Sequence, residues 1–173
     1  MDEIVRQAMA KWPNVPACYD WLALDARGQW FMRDEACQRA GVFPNPKGSP
    51  IRHEKLIGFI QRNYLPDDSG AWYFQNGPQR VYVTLEAAPL VLRLLECGGV
   101  EAHTGEPLEV SASVLDEEGW LYLLTERGLG LVHSQDMHRA VERIEGGYWQ
   151  PDLVIRAELP TRFGFVRRPQ TSP

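Results

Sequence analysis

Arg80 and Tyr82 lie two residues apart in "GAWYFQNGPQRVYVTLEAAP" (Gly70 to Pro89), and Glu86 follows four residues later. Alternate side chains of a strand share a face, so a guanidinium, a phenol and, near them, a carboxylate are expected to form one mixed patch. Together with Arg52, expected on the first turn of a helix where backbone N–H groups favour anions, this patch has the donors to hold a carboxylate or phosphate. The basic residues support that chemistry, because 15 of the 18 are arginine and only Lys11, Lys47 and Lys55 are lysine. Arginine binds such anions through two parallel hydrogen bonds, although codon composition accounts for the same bias. A salt bridge between Arg80 and Glu86 would use the same groups with no ligand at all.

Other chemistries fail on spacing. His133 and His138 are five apart, off the shared face that a helical metal pair needs, and no metal site is expected. His53, one turn before Ile57, reads as a packing residue. Cys97 and His103 share one loop, a poor frame for a nucleophile and its base. Cys18, Cys37 and Cys97 are odd in number and widely spaced, which fits buried thiols better than disulfides or a zinc ribbon. "GLGL" at Gly128 to Leu131 lacks the third glycine and the helix of a dinucleotide fingerprint. The acidic pairs Asp67-Asp68 and Glu117-Glu118 sit where turns are expected, not facing each other across a cleft. No cofactor is implied, and an enzyme is the less favoured reading.

The 173 residues are 44% hydrophobic and 24% charged, a composition that supports a buried core. A net charge of −5 argues against coating nucleic acid, which requires a basic surface. No apolar run reaches the length of a membrane span, and "MDEIVRQAMAKW" reads as an amphipathic helix, so a cytoplasmic protein without membrane attachment is expected.

The elements that must position these residues show a repeat. "DARGQW" at Asp25, "DDSGAW" at Asp67 and "DEEGWL" at Asp116 each place a glycine three residues after an aspartate and a large apolar residue two after the glycine. Asp bonds its own backbone ahead and Gly takes positive φ, so all three read as β-hairpin tips. Trp30 and Trp72 follow two tips at matching positions. Equivalent packing in a repeated unit explains them, and an exposed aromatic platform for a ligand or partner is the alternative. "GSPIRHEKLIGFIQRNY" is expected as a helix capped by Ser49 with Pro50 in its first turn and a stripe of Leu56, Ile57, Ile60 and Tyr64. "HSQDMHRAVERIEGG" is expected as a second, capped by Ser134, with a stripe of Met137, Val141 and Ile144 and a stop at Gly146-Gly147. Hairpin, helix and strands thus occur twice, which predicts an α+β fold of duplicated hairpin-helix-strand units, antiparallel sheets each packed by a helix.

"LDARGQWFM", "GSPIRHEKLIGFI", "DDSGAWYF" and "VYVTLEAAPLVL" stand in the order and approximate spacing of a bacterial family of proteins of unknown function. The chain resembles that family over about residues 20 to 95, most specifically at Gly48 to Ile51 and Glu86 to Pro89. It departs in "EACQRAGVFPNP" and "GLGLVHS", which leaves a sister family open. The resemblance implies a duplicated core, a C-terminal half superficially like a pleckstrin homology fold, and a ligand- or partner-binding, regulatory role with no reaction attached.

The expected organisation is an N-terminal helix and lead-in over 1–16, subdomains over 17–97 and 98–168 joined near Cys97 to Gly105, and a frayed tail over 169–173. The expected function is non-catalytic binding of an anionic small ligand or partner segment in a groove between the subdomains, by Arg52, Arg80, Tyr82, Glu86, Trp30 and Trp72. An enzyme using that groove, or a module pairing through an exposed strand edge, are the alternatives, and homodimerisation is left open.

Overall fold

A computed structural model describes residues 1–171. The fold is α+β, with a six-stranded and a seven-stranded sheet in two similar units. The first unit comprises Met1–Asp25, Gln29–Glu86 and the chain from Phe165 onward; the second comprises Ala26–Gly28 and Ala87–Gly164.

In the first unit, α1 (Glu3–Lys11) precedes β1 (Cys18–Leu24) and β2 (Trp30–Met32), followed by α2 (Glu35–Ala40), β3 (Ser49–Pro50), α3 (Glu54–Arg62), β4 (Tyr64–Pro66), β5 (Trp72–Asn76) and β6 (Gln79–Leu85). The sheet order is β3-β2-β1-β6-β5-β4. All its neighbours are antiparallel except β1 and β6, which run parallel with Leu22 opposite Val83 and Leu24 opposite Leu85. A single parallel seam therefore joins two locally paired segments. Tyr82, Val83, Thr84 and Leu85 are all buried, because β6 is central and covered on both faces.

The second unit contains β7 (Leu90–Leu94), β8 (Val100–Ala102), β9 (Pro107–Leu108), β10 (Val110–Asp116), β11 (Leu121–Thr125), β12 (Gly128–Val132), α4 (Met137–Glu145), β13 (Asp152–Val154) and α5 (Leu159–Phe163). Its order is β13-β10-β11-β12-β7-β8-β9, and β12 with β7 and β10 with β13 are parallel. Both sheets are thus mixed rather than wholly antiparallel. The segment Cys97 to Gly105, expected as the junction, lies inside this sheet as the turns flanking β8.

All three Asp/Gly segments are hairpin tips: they join β1 to β2, β4 to β5 and β10 to β11. In each, the aspartate N–H donates to the carbonyl four residues on: Asp25 to Gln29, Asp67 to Ala71 and Asp116 to Trp120. Gly28, Gly70 and Gly119 close the loops at φ of 76°, 81° and 82°, a region that L side chains occupy at a cost.

The helix starts differ from expectation. Ser49 and Pro50 form β3 and pair with Met32 and Phe31, so α3 begins later, at Glu54. His53 caps it, its Nδ1 accepting the Leu56 N–H, and is exposed rather than packed. Arg52 consequently precedes the helix instead of lying in its first turn. Ser134 likewise opens a short 3₁₀ turn (Ser134–Asp136) capped by His133, ahead of α4. Ala140 is the buried residue of α4 and Val141 is exposed, so the expected stripe is rotated. Pro169 is buried, which is not fraying, while Ser172 and Pro173 lie outside the described residues.

Candidate functional site

The residues singled out from the sequence fall into separate surroundings in the first unit. Trp30 and Trp72, 2% and 3% exposed, are core side chains. Both pack on buried Tyr64, with ring centroids at 5.1 and 4.7 Å, so neither is a surface platform. Burial pushes the Tyr64 phenol well above its ordinary range.

Arg80 and Tyr82 do come together. Arg80 stands over the Tyr73 ring at 4.7 Å, and Tyr82 stacks on Tyr19 at 4.8 Å. The Tyr82 hydroxyl donates to Asp67 Oδ2 at 2.8 Å. Burial raises the Tyr82 phenol, and its bond to the Asp67 carboxylate adds to the rise. Burial alone would raise Asp67 as well, yet the donors Ser69, Tyr82 and Ala71 outweigh it and hold the carboxyl below its usual value.

Glu86 belongs elsewhere. Lys47 Nζ lies 3.4 Å from Glu86 Oε2 and 2.9 Å from buried Asp25 Oδ2, so Glu86 pairs with a lysine and not with Arg80. Burial works against the Lys47 charge, and the Asp25 and Glu86 carboxylates overcome it to raise the ammonium pKa. Arg52 is exposed on the segment between β3 and α3.

A rule links the three tips. One carboxylate oxygen holds each turn: Oδ1 of Asp25 accepts the Gln29 amide at 2.9 Å, that of Asp67 the Ser69 and Ala71 amides, and that of Asp116 the Glu118 and Trp120 amides. The second oxygen receives a donor from a different element: Lys47, Tyr82 or Arg156. Repetition in the sequence therefore marks anchoring turns.

A pocket occurs in the second unit, with a volume of about 330 Å³. Leu121, Leu131, Val132 and Met137 form its apolar walls, and Trp120 stands beside Gly119 at its edge. Ala26 and Arg27 come from the first hairpin loop, in the three residues that belong to this unit. Arg27 is exposed and is the charged wall residue; Ser134 supplies a hydroxyl. Arg156 fixes Trp120 from outside the wall, its guanidinium 4.1 Å from the ring and bonded to Asp116 at 2.7 Å. Sequence reading passed over this site because Arg27 and Trp120 look like ordinary members of turns, and their meeting depends on tertiary structure.

Two further polar groups organise this unit. Asp136 is buried and takes Arg93 Nε at 2.6 Å, Arg93 Nη2 at 3.1 Å and the Leu94 amide at 3.1 Å. The Arg93 bond, opposed by burial, holds its carboxyl below the usual range. His103 Nδ1 accepts the Val91 amide, and burial lowers the ring pKa to about 4, so the imidazole is neutral near pH 7 with its proton on Nε2. Among the described residues, no group of three His, Cys, Asp or Glu side chains is placed to hold a metal ion. Among these residues, too, no helix is long and apolar enough to cross a membrane.

Residues 1–170 match the family described as "Protein of unknown function (DUF2946)", and the chain belongs to that family. The search of curated proteins finds no match. Among solved structures, a DUF1285 family protein from Silicibacter pomeroyi DSS-3 is similar at a TM-score of 0.50 and 14% identity, over 82% of this chain and 84% of that one. Another, from Shewanella baltica OS155, gives 0.49 and 17% over 70% of this chain and 91% of that one. At such identities the likeness concerns the fold alone.

Proposed function

We propose that this chain is a non-catalytic binding protein that takes a small anionic ligand with an apolar body into the pocket of its second unit. The observation that carries the reading is the wall chemistry: leucine, valine, methionine and tryptophan side chains around about 330 Å³, with one guanidinium among the residues that line it. Small-molecule sites have this form, a mostly apolar concavity of a few hundred cubic ångströms with few polar groups to set orientation. Arg27 suits a carboxylate or phosphate, while the leucine and valine walls suit an alkyl or aromatic body. The wall residues include no carboxylate, histidine or cysteine to act as an acid, base or nucleophile, which favours binding over reaction.

Thermal denaturation with decanoate, indole-3-acetate and 1-decanol tests the reading. A carboxylate that fits raises Tm progressively with concentration. The alcohol is expected to stabilise less than decanoate in the native chain and equally in an Arg27→Ala variant. Met137→Trp, which fills the pocket, should abolish both effects. Equal Tm with and without every probe overturns the reading, as does stabilisation that persists in Met137→Trp.

A further inference from the structure

Asp25, Asp116 and Asp136 are buried, and each has a cation: Lys47 at 2.9 Å, Arg156 at 2.7 Å and Arg93 at 2.6 Å. Arg33, 2% exposed just after β2, is the exception. Among the described residues no carboxylate pairs with it. Its Nη2 donates to the Gly41 carbonyl at 2.6 Å, and its guanidinium lies 5.9 Å from the Phe43 ring. Nε is buried with no acceptor, and Nη1, also unbonded, is the less enclosed of the two. Arginine does not shed its proton inside proteins, and an unneutralised buried charge costs more than any neutral polar group. Holding the Gly41 carbonyl needs only a neutral donor, so the loop alone does not account for a guanidinium here.

The surroundings offer no anion of their own. Asp25 and Glu86 are the nearby acids of the first unit, and Lys47 engages both. A second cation reaches the same loop instead: Arg168, exposed and without a carboxylate partner, donates from Nη2 to the Phe43 carbonyl at 3.3 Å. Gly41 and Phe43 are two residues apart, so their α-carbons lie within about 7 Å. From this pair we infer an anion site in the first unit, separate from the pocket, that takes a compact oxyanion of the phosphate type. Arg33 supplies the N–H groups that Gly41 leaves free, and Arg168 supplies a second charge from the solvent side. Two cations with no acid between them favour a dianion over a monoanion. The enclosure of Arg33 by Phe43, itself 1% exposed, and by Gly48, where a Cβ would come 3.1 Å from Arg33 Cγ, restricts the site to a small ion.

Nuclear magnetic resonance of the arginine Nε–H groups in the full-length chain tests the inference, with sodium phosphate titrated against sodium chloride at constant ionic strength. The Arg33 Nε–H resonance, assigned through its backbone correlations, is expected to shift and saturate with a midpoint of about 1 mM. Acetate should require at least about tenfold more for the same shift. Arg168→Ala, which alters an exposed side chain, should raise the phosphate midpoint at least about fivefold while leaving Tm in chloride unchanged. Met137→Trp, which fills the pocket of the second unit, should leave the phosphate response as it is. An Arg33 resonance that ignores phosphate, a shift that never saturates, acetate binding as tight as phosphate, or an unchanged midpoint in Arg168→Ala each overturns the proposal.

Discussion

Arg156 Nε donates to Asp116 Oδ2 at 2.7 Å, across 40 residues of chain, while Oδ1 of the same carboxylate takes the amides of Glu118 and Trp120. One buried aspartate thus closes a hairpin and anchors the segment after β13. Burial alone would raise the Asp116 pKa, but the Arg156 bond and the two amides prevail and lower it. Asp116→Ala removes both functions and leaves the half-buried guanidinium only exposed Glu118 as an ionic partner, so it should cost about 3 kcal/mol in urea unfolding. Asp67→Ala, whose distant donor is the neutral Tyr82 hydroxyl, should cost about 1–2 kcal/mol. Equal losses would contradict the distinction between charged and neutral anchors.

His103 sets a pH dependence. Its pKa is about 4 when folded, against an ordinary 6.5, so the folded chain refuses a proton that the unfolded chain accepts. The stability it contributes is complete above pH 6.5, declines as pH falls, and is lost below about 4, by at most about 3 kcal/mol. Asp67, Asp116 and Asp136, all held below 3.8, lose their contributions at still lower pH. Unfolding followed at pH 7 and pH 4.5 should show the decline in the native chain and a smaller one in His103→Asn, which keeps an acceptor for the Val91 amide.

The turn aspartates were legible in the sequence because their geometry is local: an aspartate, its own following amides and one glycine suffice. The helix starts were not. Ser49 and Pro50 have the right chemistry for a cap, but pairing with β2 claims them, and the cap passes to His53, a residue type less associated with that task. The seams of β1 with β6 and β12 with β7 join segments distant in sequence, so no local pattern announces them. Among the anticipated binding residues, Arg80 and Tyr82 were rightly placed on one face, whereas Glu86 sits with Lys47 because the chain has left β6 by then.

Core and surface members of that anticipated set should respond very differently to mutation. Trp72→Ala and Trp30→Ala each remove a fully packed ring and should cost about 3–5 kcal/mol. Arg80→Ala, which loses a stacked cation at the surface, should cost about 0.5–1 kcal/mol. Arg52→Ala should fall within about 0.5 kcal/mol of the native chain. Chemical denaturation of the four variants separates these classes.

Gly130 reports on the parallel seam of the second sheet. A Cβ there would lie 2.5 to 2.8 Å from three side-chain atoms of Leu92, which is wholly buried on β7. Gly130→Val should therefore destabilise by about 1–3 kcal/mol through overpacking, and Leu92→Ala in the same chain should recover part of the loss.

The chain beyond Gly164 returns to the first unit: the Val166 amide donates to the Gly70 carbonyl at 3.0 Å, and the Leu85 amide donates to the Arg167 carbonyl at 2.8 Å. During synthesis, where segments emerge in order, residues 29–86 must wait for these contacts until nearly everything after them has left the ribosome. The early-made unit is hence the later one to be completed, and a nascent chain stalled before Val166 should expose Gly70 and Leu85 to proteases that the finished protein resists.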